Sequence, residues 1–273
     1  MVDDQAVRGT SDWMAAIRYL ESQRQDAFLV DPWASALAGD YAEVTARLAA
    51  LGAPSEVVIT RGRLGDAVVM AAVAEGVDQV VILAAGSDTR SFRLDLPAQV
   101  TLFELDLPGQ LAGKLETLRR AGAAHDSRLV VVEADLREDW TAALAAAGFA
   151  AHRPAVWLIE GLFYYLDRHA GDSVLKQLSS ASARGSWLAL DIPHERFLTE
   201  PANAPFLEYM AERGSPFVGA LPDPVRWLAG NGWQARAYLA EDLVAGDCPL
   251  IPPPPARLSN PDHPIWHVVA QRL

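Results

Sequence analysis

Cysteine is nearly absent from this chain. Cys248 is the single one in 273 residues, which excludes an internal disulfide and any zinc site built from a cysteine cluster. No apolar run approaches the roughly 18 residues of a membrane span, and Met1-Val2-Asp3-Asp4 lacks the basic start and apolar stretch of a secretory leader. A cytoplasmic protein is expected. Positive charge is also scarce: 23 Lys and Arg stand against 35 Asp and Glu, a net charge of −12. That balance opposes adsorption to nucleic acid or an anionic membrane, because there is no basic field to release counterions. Repeats and low-complexity segments are missing. So is the G-x-G-x-x-G turn that carries a dinucleotide's pyrophosphate, which disfavours an NAD-dependent oxidoreductase.

What is present is enough apolar residue, 51%, for one large core, and 273 residues suit one α/β domain with additions. The chain is organised around residues 79–106. An apolar run, Val80 to Ala84, breaks at Ala85-Gly86-Ser87 and resumes as Val100 to Leu105, closing on Asp106. This reads as a buried parallel strand, a small-residue turn and a second strand with an acid at its end. In open α/β sheets ligands sit beyond the carboxyl ends of the strands, with an acid about 20 positions after the glycine turn on a ribose hydroxyl. Gly86 and Asp106 have that spacing, and without a pyrophosphate turn a nucleoside-bearing ligand lacking a diphosphate fits better. Further runs close on acids at Asp135, Glu160 and Asp191, so four strand ends in succession are expected to form a negative rim.

Before this unit, residues 11–50 read as helix interrupted at Asp31-Pro32, a cover over the sheet or the crevice. Thr60-Arg61-Gly62-Arg63 lead into a helix expected over Leu64 to Ala74. Arg61 can hold a carboxylate with its planar fork, as an amino-acid tail would require. After the fourth strand come Phe163, Tyr164 and Tyr165, aromatics able to stack on a flat substrate, although core packing explains each as well. From 194 to 218 the pattern degrades, broken into short pieces by Pro193, Pro201, Pro205 and Pro216, as expected of an apolar lid carrying Phe197, Phe206, Tyr209, Met210 and Phe217. A helix from Pro224, a sixth strand and a final strand close the chain. The expected divisions are a helical cover over 1–58, a ligand-binding core over 59–192, a lid over 193–220 and C-terminal elements over 221–273. Of six histidines, His194 is the best placed to act as a base, at the crevice edge. No metal ligand set is present, and no oligomeric state is specified.

Laid out this way, the segments TRGRLGDAVV, QVVILAAGSDTRSFRL, LFELDLPGQLAGK, VVEADLRED and WLIEGLFYYL, from Thr60 to Leu166, resemble a family. It is the bacterial branch of the leucine carboxyl methyltransferase-like, S-adenosylmethionine (SAM)-dependent O-methyltransferases, which includes polyketide carboxyl methyltransferases of the tetracenomycin type. Asp31-Pro32-Trp33-Ala34 and the strand near Gly185 extend the resemblance more loosely. It implies a class I methyltransferase fold, with a seven-stranded mostly parallel sheet, and SAM as cofactor with S-adenosylhomocysteine (SAH) as by-product. It further implies Ala84, Ala85 and Gly86 under the cofactor's amino-acid tail, Asp106 and Leu107 at the ribose, and Asp135 and Leu136 at the adenine. Glu160 and Gly161 then stand near the reacting centre, and Arg61 near the cofactor carboxylate. Relatives read G-A-G where this chain reads Ala84-Ala85-Gly86. The acceptor is expected to be a carboxylate of a small molecule. The alternatives are a phenol or alcohol with His194 as base, or a SAM-binding protein that does not methylate.

Overall fold

The buried strands are apolar on both faces, and this sets the architecture. In the computed structural model, which describes residues 11–125 and 127–273, every residue of β1 (Gln79–Leu83), β4 (Val156–Ile159) and β5 (Trp187–Pro193) is buried. Strands of that kind belong inside a parallel sheet covered by helices on both faces. The sheet has seven strands in the order β3-β2-β1-β4-β5-β7-β6, with β2 Thr101–Asp106, β3 Arg128–Glu133, β6 Trp233–Tyr238 and β7 Ile265–Arg272. All pairings among β1 to β5 are parallel, and β7 runs antiparallel to both neighbours. The α/β class and the mostly parallel seven-stranded sheet are as expected. Met1 to Asp4 lie outside the described residues, and no helix among those residues is long and apolar enough to cross a membrane.

Alternation along the strands divides the core. Val81, Leu83, Phe103, Leu105, Trp157 and Ile159 face one layer, which includes α7 (Trp140–Ala146), α8 (Arg168–Ser180) and α10 (Pro224–Ala229). Val80, Ile82, Leu102, Val156 and Leu158 face α4 (Ser55–Ala74) on the other. A third cluster joins α1 (Ser11–Ser22), α3 (Tyr41–Ala50), the start of α4 and α9 (Ala204–Glu212) through Trp13, Ile17, Leu48, Val57, Phe206 and Met210.

Three local expectations change. The helix expected from Leu64 begins nine residues earlier, at Ser55, so Arg61 sits inside it. Burial accounts for the missed length: eleven of its residues are buried, so it lacks the polar stripe that periodicity detects. Its two internal glycines meet close neighbours; a Cβ at Gly65 would stand 2.5 Å from Glu160 Oε1 and 2.6 Å from Arg90 Nη2. Between Ser22 and Trp33 there is no helix, leaving α1, the short α2 (Ala34–Leu37) and α3. The segment expected as a lid is more regular than its prolines suggest, with two 3-10 turns, Glu195–Leu198 and Pro201–Asn203, running into α9. Pro201 and Pro205 occupy first-turn positions there, where a missing N–H costs little.

Candidate functional site

The chain moves outward from β1 to β2 and β3, then returns to the other side of β1 for β4. This is the switch point at which open α/β sheets bind ligands. Register pairs Leu83 with both Leu105 and Ile159, so Ala84, Asp106 and Glu160 emerge side by side. A cavity opens there, lined on the sheet side by Ala84 to Asp88, Asp106, Leu107, Gln110, Glu160, Gly161 and Leu162.

The turn after β1 is bent tightly. Ala84 has φ +53° and Gly86 φ +44°, and Ala84 is the one non-glycine residue with positive φ among those described. An L-residue in this region costs roughly 1–2 kcal/mol. Asp106 fixes the turn from below: its Oδ2 accepts the Gly86 N–H at 2.7 Å and its Oδ1 accepts the Leu107 N–H at 2.8 Å. The carboxylate is thus held in place at the end of β2 by two backbone N–H groups.

Beneath the turn lies a buried ion network. The Arg90 Nε donates to Asp66 at 2.8 Å, its Nη2 to Glu160 Oε1 at 2.6 Å and to the Gly62 carbonyl at 2.9 Å, and its Nη1 to Asp88. Arg93 holds the same Asp66 through both terminal nitrogens. Burial works against the Asp88 charge, yet Arg90 and Arg93 outweigh it and keep its pKa below the usual value. Glu104, which alternation puts on the same side of β2 as Asp106, is fully buried on Lys114 at 2.6 Å and does not line the cavity. Burial raises its pKa against the pull of Lys114.

The opposite wall is apolar. Trp13, Met14, Ile17, Leu48, Val57, Val58, Phe206, Met210 and Phe217 line it, with Tyr164 and Tyr165 at the junction. Two arginines bridge the walls. Arg18 of α1 donates from Nε to Asp31 at 2.9 Å and from Nη2 to the Ser87 carbonyl at 2.6 Å. Asp31, from the D-P-x-A segment, also accepts the Thr89 hydroxyl at 2.7 Å, so the helical cover is tied into the turn after β1. Arg61 donates from Nη1 to Asp191 at 2.8 Å, while its buried Nε has no hydrogen-bond partner. Burial opposes its charge, and Asp191, Tyr164 and Glu160 more than compensate, so the guanidinium stays protonated.

Of the residues singled out in the sequence, Arg61, Ala84, Ala85, Gly86, Asp106, Leu107, Glu160, Gly161, Tyr164, Tyr165, Phe206, Met210 and Phe217 line this one cavity. Five others lie elsewhere. Asp135 and Leu136 are outside the lining; Ala134 binds the Asp106 carbonyl at 2.9 Å, and Asp135 is engaged by the Arg137 side chain, which lowers its pKa. Phe197 is wholly inside the third core cluster. Tyr209 stacks on Trp13 at 5.9 Å beside a small separate hollow that includes Arg47 and Arg213. His194 caps the first 3-10 turn, where its Nδ1 accepts the Arg196 N–H at 3.0 Å. Its ring rests on Trp266 at 5.5 Å, and partial burial with Arg196 lowers its pKa. Nor do four strand-end acids form a rim: Asp106 and Glu160 reach the cavity, while Asp191 is buried behind it and neutralised by Arg61. Sequence reasoning passed over Arg18, Ser87, Asp88 and Gln110. The sequence signal that could have found the network is Asp88, Arg90 and Arg93 standing within six residues.

The cradle suits a nucleoside with an amino-acid tail. It offers a positive-φ turn, a carboxylate fixed at the next strand end, and two arginines, Arg18 and Arg61, in the lining. The sequence pattern of the leucine carboxyl methyltransferase family matches residues 12–179. A Streptomyces coelicolor protein named for S-adenosyl-L-methionine-dependent methyltransferases is 37% identical over 270 residues, covering 91% of each chain. A Frankia alni protein with the same kind of name is 36% identical over 269 residues, covering 92% of this chain and 91% of its own. Among solved structures, a DUF574 family protein from Streptomyces avermitilis superposes with a TM-score of 0.61 at 14% identity, covering 95% and 97% of the two chains. Magnesium protoporphyrin IX methyltransferase from Synechocystis with bound SAH gives 0.50 at 13% identity, covering 99% and 100%. The sheet is thus that of a class I methyltransferase, its cofactor is SAM, and the chain belongs to the leucine carboxyl methyltransferase family of SAM-dependent methyltransferases.

Proposed function

We infer that this methyltransferase esterifies a carboxylate of a mostly apolar small molecule, of the polyketide or other natural-product kind, by in-line displacement at the cofactor's methyl group. The observation that carries this reading is the lining itself: among the described residues no histidine reaches the cavity, and the wall facing the cofactor turn is apolar. When bound, SAM supplies a methyl group already activated on a sulfonium. The protein then has to exclude water, align the acceptor and set the distance. A carboxylate with a pKa near ~4 is ionised at neutral pH and needs no base. Of the other lining groups, Glu160 and Asp88 are held by Arg90, Asp106 by the Gly86 and Leu107 N–H groups, and burial with Asp191 raises the Tyr164 pKa well above the ordinary phenol value.

On this reading Ala84, Ala85 and Gly86 pass under the methionine portion, and Asp106 and Leu107 hold the ribose. Arg61, which lines the cavity, holds the cofactor carboxylate, and Glu160 with Gly161 stands by the reacting centre. Tyr165, Phe206, Met210 and Phe217 shape the acceptor pocket, and residues 193–220 are its lid.

The test is incubation with methyl-labelled SAM and a panel of apolar carboxylic acids, followed by mild alkali. Release of labelled methanol and a pH–rate profile without a basic limb between about 6 and 9 are expected. His194→Ala is expected to leave turnover nearly intact. An alkali-stable methyl group, or a loss of about 10²–10⁴-fold in the His194 variant, would move the assignment to a phenol or alcohol with a general base.

A further inference from the structure

Asp191 has no place among the contacts proposed above, yet it stands where the two walls meet. It lies in β5 opposite His267 of β7 and is completely buried. Three groups saturate its carboxylate. Oδ1 accepts the Gly161 N–H at 2.8 Å; Oδ2 accepts Arg61 Nη1 at 2.8 Å and the Tyr164 hydroxyl at 2.5 Å. His267 adds no positive charge: burial lowers its pKa to about 4, and its Nε2 is engaged with the Thr60 hydroxyl at 2.7 Å. Arg61 is therefore the counter-ion of Asp191, and a buried carboxylate depends strongly on its counter-ion.

The two groups on Oδ2 lead to opposite walls. The Arg61 fork lies over Gly161, where an added Cβ would stand 3.1 Å from Nη2. Tyr164 leads to the lid: its carbonyl accepts the N–H groups of Val218 and Gly219 at 2.8 and 3.0 Å, and its ring meets Phe217 edge-on at 4.9 Å. Gly219 leaves no slack in that junction, since a Cβ there would fall 1.8 Å from the Phe163 carbonyl oxygen.

We propose that Asp191 is a positioning residue that couples the walls, orienting Arg61 toward the cofactor and, through the Tyr164 hydroxyl, holding Phe217 and the lid over the acceptor pocket. The coupling rests on the reading of Arg61 as the cofactor's carboxylate partner. A carboxylate arriving at Arg61 shares the charge that neutralises Asp191, so Asp191 draws more strongly on the Tyr164 hydroxyl. Cofactor binding and lid order then support each other reciprocally.

Hydrogen exchange of residues 204–218 in the full chain, with and without SAH at concentrations that calorimetry shows to be saturating for each variant, tests this. In the unmodified protein SAH is expected to slow exchange in this segment roughly fivefold or more. Tyr164→Phe keeps the ring and removes only the hydroxyl; it should bind SAH with lid exchange unchanged by it. Phe217→Leu, which cuts the lid side of the same link and serves if the tyrosine variant does not fold, should also lose the slowing. Equal slowing in these variants and the unmodified protein overturns the proposal, because a merely structural role would change stability and leave the SAH-dependent ratio alone. SAH binding without any slowing in the unmodified protein also overturns it, while the cofactor assignment stands. No SAH heat at all overturns both.

Discussion

The two walls of the cavity are built on different physics. The sheet-side wall consists of strand-end turns held by directed bonds among charged groups, with Arg90 1% exposed and spanning Asp66, Asp88 and Glu160. The helical wall presents Trp13, Ile17, Leu48, Phe206 and Met210 from three helices, packed in one apolar cluster. A buried ion network tolerates little change, because losing one member strands the others in a low dielectric. An apolar wall can exchange side chains of similar volume at modest cost. On the function proposed above, the polar wall takes the cofactor and the apolar wall the acceptor.

The largest expected effect comes from breaking the polar wall at its centre. Arg90→Met leaves Asp88 and Glu160 without their cation and should destabilise the protein by about 3–5 kcal/mol, read by urea unfolding, with SAH binding lost. Arg90→Lys should not restore binding, since an ammonium cannot span the positions a planar fork reaches.

A smaller effect distinguishes two acids on one strand. Asp106→Asn should weaken SAH binding by roughly 1.5–3 kcal/mol per lost charge-assisted bond, with little change in Tm. Glu104→Gln should do the reverse, lowering Tm through Lys114 while calorimetric affinity stays near its original value. Affinity lost in the Glu104 variant alone would reverse these roles.

On the apolar wall, Ile17→Val should change kcat/KM between acceptors differing by one methylene by about 1 kcal/mol, the lower end of the usual range, and leave SAH affinity unchanged. A matching loss of SAH affinity would show that the walls are less separate than their chemistry suggests. The smallest effect is expected at the turn. Ala84→Gly relieves a positive φ, but glycine's extra chain entropy offsets about 0.5–1 kcal/mol of the gain. A rise in Tm of a few degrees or less, with SAH bound at least as tightly, is the expected outcome; a fall would mean the Ala84 methyl packs to advantage.

The sheet-side wall was largely legible in the sequence. Gly86 and Asp106 are twenty positions apart because a turn, a connector and one strand separate them, and strand alternation follows from covalent geometry. The start of α4 was not legible, because its first turns are buried all round and carry no amphipathic period.

By itself the sequence determined the parallel sheet, the order of its strand-end turns and the apolar character of the lid, since these depend on patterns within some twenty residues. Tertiary structure alone decided which charges meet. Arg18 reaches Ser87 across 69 positions and Arg61 reaches Asp191 across 130, separations that no pattern along the chain encodes. It also withdrew Asp191 from the cavity and placed His194 against Trp266. The physical reason is range: local periodicity follows from backbone geometry, but the partner of a buried charge is chosen by the packing of whole elements, which desolvates some carboxylates and leaves others facing the ligand.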